Sequence, residues 1–290
     1  MDSEKNKVEK SVLYLVGTPI GNLSDISERA LKVLREVDFV AAEDTRNAMR
    51  LLSCFGIKKE TVSYYEHNKK VSGEKILERL ILGESCALIT DAGMPAISDP
   101  GEDIVKLCAE NAIKVSVIPG PCAAVSALAL SALSTSRFVF EGFLPMVRSE
   151  RKNRLEEIQN ETKTVILYEA PHKLRATLSD IEEYLGKERR IALCRELTKI
   201  NEEVLRLTVE EARKLYDDKE PRGEYVIIIE GAKDRPSPLD TAVSLLLSLS
   251  AEEHVLHYEK QGMKKMDAIK AAAKDRGMSK SDLYKIINTD

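Results

Sequence analysis

None of the chain's 14 glycines forms a Gly-x-Gly, so the dinucleotide-binding fingerprint and the usual Rossmann methyltransferase loop are both missing. A Walker phosphate loop, a Gly-x-Ser-x-Gly elbow and a His-Glu-x-x-His pair are missing too, and phosphoanhydride and metal chemistry lose support with them. The five cysteines, Cys54, Cys86, Cys108, Cys122 and Cys194, are never closer than fourteen positions, which excludes a Cys-x-x-Cys site for zinc or redox work. They read as thiols in a reducing compartment. His254 and His257 lie three apart on an expected helix but have no carboxylate or cysteine at ligand spacing, so no metal is expected. Long apolar runs are also lacking. Ala123–Leu133, the longest, spans eleven residues and contains Ser126 and Ser131, which makes it a buried helix and too short to cross a bilayer. Met1–Lys10 carries both charges and no apolar stretch, so neither a signal peptide nor a membrane association is expected, and the protein is placed in the cytoplasm.

What is present is an ordinary globular composition, 43% hydrophobic and 32% charged over 290 residues, enough chain for two or three domains. Charge is unevenly spread. From Lys260 onward eight basic residues meet four acids, a net +4 at one end of a chain whose total is −4. A basic end on an acidic body is suited to a polyanion, although a solvated helical face would show the same balance.

Three Gly/Pro turns each follow an apolar strand-like run: Gly17–Asn22 after Leu13–Val16, Thr90–Pro95 after Ala87–Ile89, and Pro119–Ala124 after Val115–Ile118. Any one could be a plain turn. Three in succession mark the carboxyl edge of an open α/β sheet, where small ligands bind. From Ser11 to Ile118 strand-like runs alternate with helical patterns, predicting a mostly parallel sheet. A second α/β unit with a mixed sheet is expected from runs at Phe138–Phe140, Thr164–Tyr168, Arg190–Cys194, Val204–Leu207 and Tyr225–Ile229. After a break at Lys233–Asp240 the chain reads as helical. Ser250 and Glu253 suit a capping box, Gly262 and Gly277 suit helix stops, and helices near Lys264–Asp275 and Lys280–Ile287 outline a helix-turn-helix. The expected domains are therefore 11–120, 121–236 and 240–290.

Polar groups near these turns are the candidates for chemistry. Asp91 lies in the second turn and Ser98-Asp99-Pro100-Gly101 closes the same segment, where aspartate is also a common turn residue. Glu43, Asp44 and Arg46 leave an apolar strand together, placed to supply a base and an anion contact, although a helix start also favours acids. Tyr168, Glu169 and His172 gather at another strand exit.

The ordered strings VGTPIGNL (Val16–Leu23), AEDTR (Ala42–Arg46), TDAGMPAISDP (Thr90–Pro100), IPGPCAA (Ile118–Ala124), FEGFLP (Phe140–Pro145), YEAPH (Tyr168–His172) and GEYVIIIEG (Gly223–Gly231) resemble the tetrapyrrole-methylase superfamily. Within it the chain is similar to the bacterial branch that methylates a cytidine 2′-hydroxyl of 16S ribosomal RNA; the match runs from about Val12 to Gly231, and AEDTR and GTPIGN are specific to that branch. The resemblance implies two α/β domains of tetrapyrrole-methylase type, a homodimer, and S-adenosylmethionine in the cleft between the domains. It places the cofactor against Pro19, Asp91, Gly93, Ala96, Ile97, Cys122, Ala123, Tyr168, Glu169 and Tyr225. Glu43 or Asp44 would then orient or deprotonate the ribose hydroxyl, with Arg46 on a phosphate. The small ribosomal subunit and its 16S RNA are the implied partners. Relatives acting on tetrapyrroles carry Gly-Gly-Asp-Pro where this chain has Asp91-Ala92-Gly93-Met94, a departure that argues against a porphyrin or corrin substrate. Two further readings stay open at this level: a small-molecule tetrapyrrole methyltransferase, and a nucleic-acid-binding regulator whose α/β part senses a ligand.

Overall fold

A computed structural model describes residues 7–232, 246–247 and 249–287. They form two compact units, one ending at Gly231 and the other beginning at Ala232. The break expected at Lys233–Asp240, and with it the boundary between 236 and 240, lies outside the described residues, as do the first six residues of the expected charged N-terminus.

The larger unit holds two five-stranded sheets. The first is built from β1 (Val12–Val16), β2 (Phe39–Ala42), β3 (Glu60–Ser63), β4 (Cys86–Ile89) and β5 (Lys114–Ile118), in the order β3-β2-β4-β1-β5 and parallel throughout. β2 and β4 are buried at every position, as strands covered on both faces must be, and they read as short continuous apolar runs. Alternation along β1 divides the core. Val12, Tyr14 and Val16 pack with α1 (Glu28–Glu36) and α2 (Thr45–Cys54), whereas Leu13 faces α3 (Lys69–Ile81) and α4 (Glu102–Glu110) through Ile76, Leu80 and Ile104. Ser27 caps α1 by accepting from the Ala30 amide.

The second sheet uses β6 (Phe138–Phe143), β7 (Thr164–Glu169), β8 (Arg190–Arg195), β9 (Glu203–Thr208) and β10 (Tyr225–Ile229), in the order β6-β7-β10-β8-β9. Only β6 and β7 run parallel; the other pairs are antiparallel, so the sheet is mixed, as its strand pattern predicts. One face packs on α6 (Arg148–Gln159), α7 (Leu174–Leu185) and α8 (Val209–Asp218). The opposite face meets α5 (Ala123–Leu130) together with Ile20 from the loop after β1, and this contact joins the two halves. A bulge between Phe140 and Gly142 shifts the register of β6 on β7.

The smaller unit contains helices Ala251–Lys260, Lys265–Asp275 and Lys280–Ile287 around Val255, Ala268, Ile269, Ala272 and Leu283. Ser250 and Glu253 form the expected capping box, and the breaks fall at Gly262 and Gly277, both with positive φ. His254 is a core histidine: its Nδ1 accepts from Arg276 Nε at 3.1 Å, its Nε2 lies 3.3 Å from Asp275, and Tyr258 stacks on its ring. Among the described residues no helix is long and apolar enough to cross a membrane.

Candidate functional site between the two sheets

The loops leaving β1, β4 and β5 are locked to one another before they reach the cleft. Thr18 and Gly93 exchange backbone hydrogen bonds of 2.9 and 3.1 Å, and the Thr18 hydroxyl donates to the Thr90 carbonyl. Gly17 crosses Gly120 so closely that a Cβ on Gly17 would lie 2.7 Å from the Gly120 Cα. The loop after β4 is held in unusual backbone: Gly93, Ala96 and Ser98 all have positive φ, at 87°, 67° and 62°. Two of these are not glycine. Across the cleft, Glu196 and Thr198, which flank Leu197, share that conformation, so four of the seven non-glycine residues with positive φ among the described residues stand at its two walls.

Between these walls lies a cleft of about 380 Å³, within the range of small-ligand sites. Its lining brings together Gly93, Ile97, Cys122, Ala123, Tyr168, Glu169 and Tyr225, all expected from the sequence. Ile20, Met94, Phe143, Leu197 and Val226 add apolar surface. Tyr168 is fixed from three sides, its hydroxyl accepting from the Ala124 amide at 3.2 Å and its ring meeting Phe140 and Phe143 edge-on. Burial pushes its pKa up to about 12, so it works here as a neutral wall. Glu169 is buried with both oxygens occupied, by the Ala170 amide and by a short bond from Thr177. Its place on the wall is structural.

Three other expected contacts stand elsewhere. Pro19 is buried behind its loop and Ile20 takes the wall position. Asp91 points outward and accepts from Asn47 Nδ2 at 2.7 Å, leaving Ala92 on the wall. Ala96 lines a neighbouring acidic recess, with Glu43, Glu66 and Glu102. The AEDTR segment also divides. Asp44 is the N-cap of α2, and Arg46 reaches back over the same carboxylate with two bonds of 3.1 and 2.7 Å. That arginine holds Asp44 down at about 2, too weak a base for a ribose hydroxyl, and the pairing occupies the guanidinium edge a phosphate would use.

Sequence reasoning marked the Ser98-Asp99 turn without assigning either residue to the site, and did not single out Phe143 or Glu224, yet all four line the cleft. Asp99 matters most, because it and Ser98 line both the cleft and the acidic recess. Burial lifts Asp99 to about 6, against the lowering influence of the nearby Thr90 hydroxyl and with further help from Glu43 and Asp91. Glu43 is exposed by area but is also raised, by partial desolvation of its carboxyl and then by repulsion from Asp91 and Asp44. The visible signal for Asp99 was its Ser-Asp-Pro-Gly string; its direction depended on the positive φ of Ala96 and Ser98.

The lining holds three carboxyls, Asp99, Glu169 and Glu224, and no lysine, arginine or histidine. A polyphosphate cofactor would find no counter-charge there. A compact ligand with an aromatic part and positive charge fits, held by main chain at Gly93 and Ala123 and by the Tyr168 and Phe143 rings. Among the described residues no group of three or more His, Cys, Asp or Glu is placed to hold a metal ion.

The family described as tetrapyrrole (corrin/porphyrin) methylases matches residues 12–213. A ribosomal RNA small subunit methyltransferase I from Halalkalibacterium halodurans is 44% identical over 288 residues, covering 99% of this chain and 98% of its own. The protein of the same name from Bacillus subtilis is 43% identical, covering 97% and 96%. The uroporphyrin-III-C-methyltransferase of Thermus thermophilus shares the fold, with a TM-score of 0.54 at 19% identity over 75% of this chain and 94% of that one. With two sheets meeting at a cleft and a match along nearly the whole length of these relatives, the chain belongs to the tetrapyrrole methylases and, within them, to the small-subunit methyltransferase I family.

Proposed function

We propose that this protein transfers a methyl group from S-adenosylmethionine to the 2′-hydroxyl of a cytidine in the 16S RNA of the small ribosomal subunit. The observation that carries the reading is the cleft itself: apolar and aromatic walls, carboxyls and no basic side chain, closed by the loops of β1, β4 and β5. S-Adenosylmethionine, when bound there, supplies an electrophilic methyl on a sulfonium, a cationic group that such a lining favours. Ala92, Gly93, Cys122 and Ala123 would hold it by main chain, with Tyr168 and Phe143 against its flat part.

The chain's own residues have two tasks: aligning the ribose hydroxyl and accepting its proton. Asp99 is the acceptor best placed, facing the cleft and having a pKa of about 6, near the pH at which a general base is most effective. Glu43, in the adjoining recess, adds to the burial that raises that pKa and offers a second site for the proton. Asp44 and Arg46 keep α2 in place.

The proposed working form is a cytoplasmic homodimer; exposed Val117 on the edge strand β5, with Val125 and Leu130 on α5, supplies apolar surface for a second copy. The test is transfer of labelled methyl from S-adenosylmethionine to small-subunit RNA, followed by mapping of ribose methylation in a deletion strain. Failure of the purified, folded protein to bind either the donor or its demethylated product would overturn the cofactor assignment.

A further inference from the structure

The charge around the cleft is uneven. The first-sheet rim is mainly acidic, with Glu43, Asp91 and Glu102, while Glu66 is paired with Lys69 and Arg46 with Asp44, and the cleft lining has no cation. Phosphates of an RNA strand brought to this cleft are therefore better placed on the second-sheet side. There β6 runs from Phe143, on the cleft wall, to α6 within five residues. The connecting stretch is apolar yet open to solvent: Phe143 is 57% exposed, Met146 82% and Val147 54%.

α6 carries its charge in the order that helix electrostatics disfavours. Arg148, Arg151 and Lys152 occupy its first half, Arg154 follows, and Glu156 and Glu157 stand near its end, against the macrodipole, with Glu150 the only acid in the first turn. Its cations are not equivalent. Arg151 is fixed, donating to Asp180 at 2.6 Å and to the Thr177 hydroxyl at 2.9 Å, and Thr177 in turn bonds the cleft residue Glu169. The start of α6 is thus tied to the cleft wall through two hydrogen bonds. Arg148 is exposed and forms no ion pair among the described residues, and exposed Lys152 stands 3.6 Å from Glu156. Both line a recess of about 670 Å³ together with Arg151, Asp180, Glu183 and Tyr184, in which Arg151 occupies Asp180. Pro171, also on the cleft wall, leads into His172 and Lys173, which extend the same polarity.

We propose that the first half of α6, with Met146 before it, is the surface that holds the single-stranded RNA flanking the target ribose. Arg148 and Lys152 take phosphates, and Met146 lies against a base, the combination of cations and apolar contacts that single strands favour. The inference rests on the RNA-methyltransferase reading above and adds to it the place where substrate is gripped. Arg151 belongs to the scaffold.

The test compares the full chain with an Arg148→Ala/Lys152→Ala double variant and a Met146→Ala variant. Binding of an in vitro transcribed small-subunit RNA fragment is followed over a salt series, and S-adenosylmethionine binding by calorimetry. Losing two phosphate contacts should weaken RNA binding by roughly tenfold at moderate salt and flatten the slope of log K against log salt by about 1.4. Donor affinity should stay unchanged. Met146→Ala should weaken binding with no change of slope. A folded double variant with the wild-type salt slope would overturn the proposal while leaving the methyltransferase reading intact, provided the wild type methylates the RNA. A wild type that transfers methyl to no RNA would overturn both. Poly-glutamate competing for the surface as well as RNA does would assign it to an acidic protein partner and refute the RNA assignment.

Discussion

Replacing Gly17 by alanine tests whether the crossed loops set the cleft. The new Cβ would lie 2.7 Å from the Gly120 Cα and 2.7 Å from Met94 Sδ. The methionine can swing away. The Gly120 backbone cannot, and since carbon atoms settle about 3.5–4.0 Å apart, the loops after β1 and β5 would have to part by about 1 Å. Overpacking of this kind costs about 1–3 kcal/mol. Both loops end at the cleft, through the Thr18–Gly93 bridge on one side and Cys122 and Ala123 on the other. If the ligand-free protein relieves the strain by moving the loops, binding must restore it, and S-adenosylmethionine affinity should fall by roughly 5- to 150-fold. Gly93→Ala would act differently, because its Cβ would meet only ordinary contacts of 3.5 and 3.6 Å while its φ of +87° strains any side-chain-bearing residue. Calorimetry on Gly17→Ala, with Gly73→Ala as a control whose Cβ would meet only ordinary contacts at 3.7 Å without a positive φ, separates a cleft effect from a general glycine effect. A folded Gly17→Ala protein that binds donor within twofold of wild type would refute the argument.

Asp99→Asn should slow methyl transfer by about 10²- to 10⁴-fold with donor affinity kept, and the wild-type rate should rise through about pH 6 and level off above it; an asparagine variant of normal rate would remove Asp99 from the chemistry. A chain ending at Ala232 should keep donor binding but methylate small-subunit RNA poorly at ordinary salt, because the eight basic residues from Lys260 onward lie beyond it; equal activity across a salt series would make the helical unit a structural cap. His254 has its pKa lowered by burial and then by Arg276, against the pull of Asp275. The folded state thus resists protonation that the unfolded chain accepts, so stability of the helical unit is full above the ordinary histidine pKa of about 6.5 and drops as pH falls below it. Amide exchange of residues 251–287 at pH 7.5 and 5.5 would show this as faster exchange at the lower pH once intrinsic rates are corrected.

Elements with strong apolar periodicity were legible in the sequence almost to the residue: β1, β4, β7 and β10 lie where their patterns put them. α2 and β3 were not. α2 buries only Ala48 and Leu52, and β3 is an edge strand whose end residues are exposed, so neither writes a clear period. In the site, residues set by strand ends, such as Tyr168 and Tyr225, were readable, while those set by loop conformation were not. Asp99 is turned by two left-handed residues, and Phe143 is set by a bulge. Asp44 shows the ambiguity of an acid between strand and helix, where a base and an N-cap look alike until the side chain's partner is seen.

The parallel first sheet also has a consequence for synthesis. β1 is made well before its partners, Cys86–Leu88 and Lys114–Ile118. At about 5–20 residues per second, the emerging chain carries an unpaired apolar strand for roughly 5–20 s before its second neighbour exists. During that interval β1 is an open edge of the kind that recruits other chains. Helices α1 and α2 arrive in between and can shelter only the face bearing Val12, Tyr14 and Val16. Ribosome-arrested chains stopped before residue 114 should therefore bind a holdase chaperone, and those extended well past Ile118 should release it.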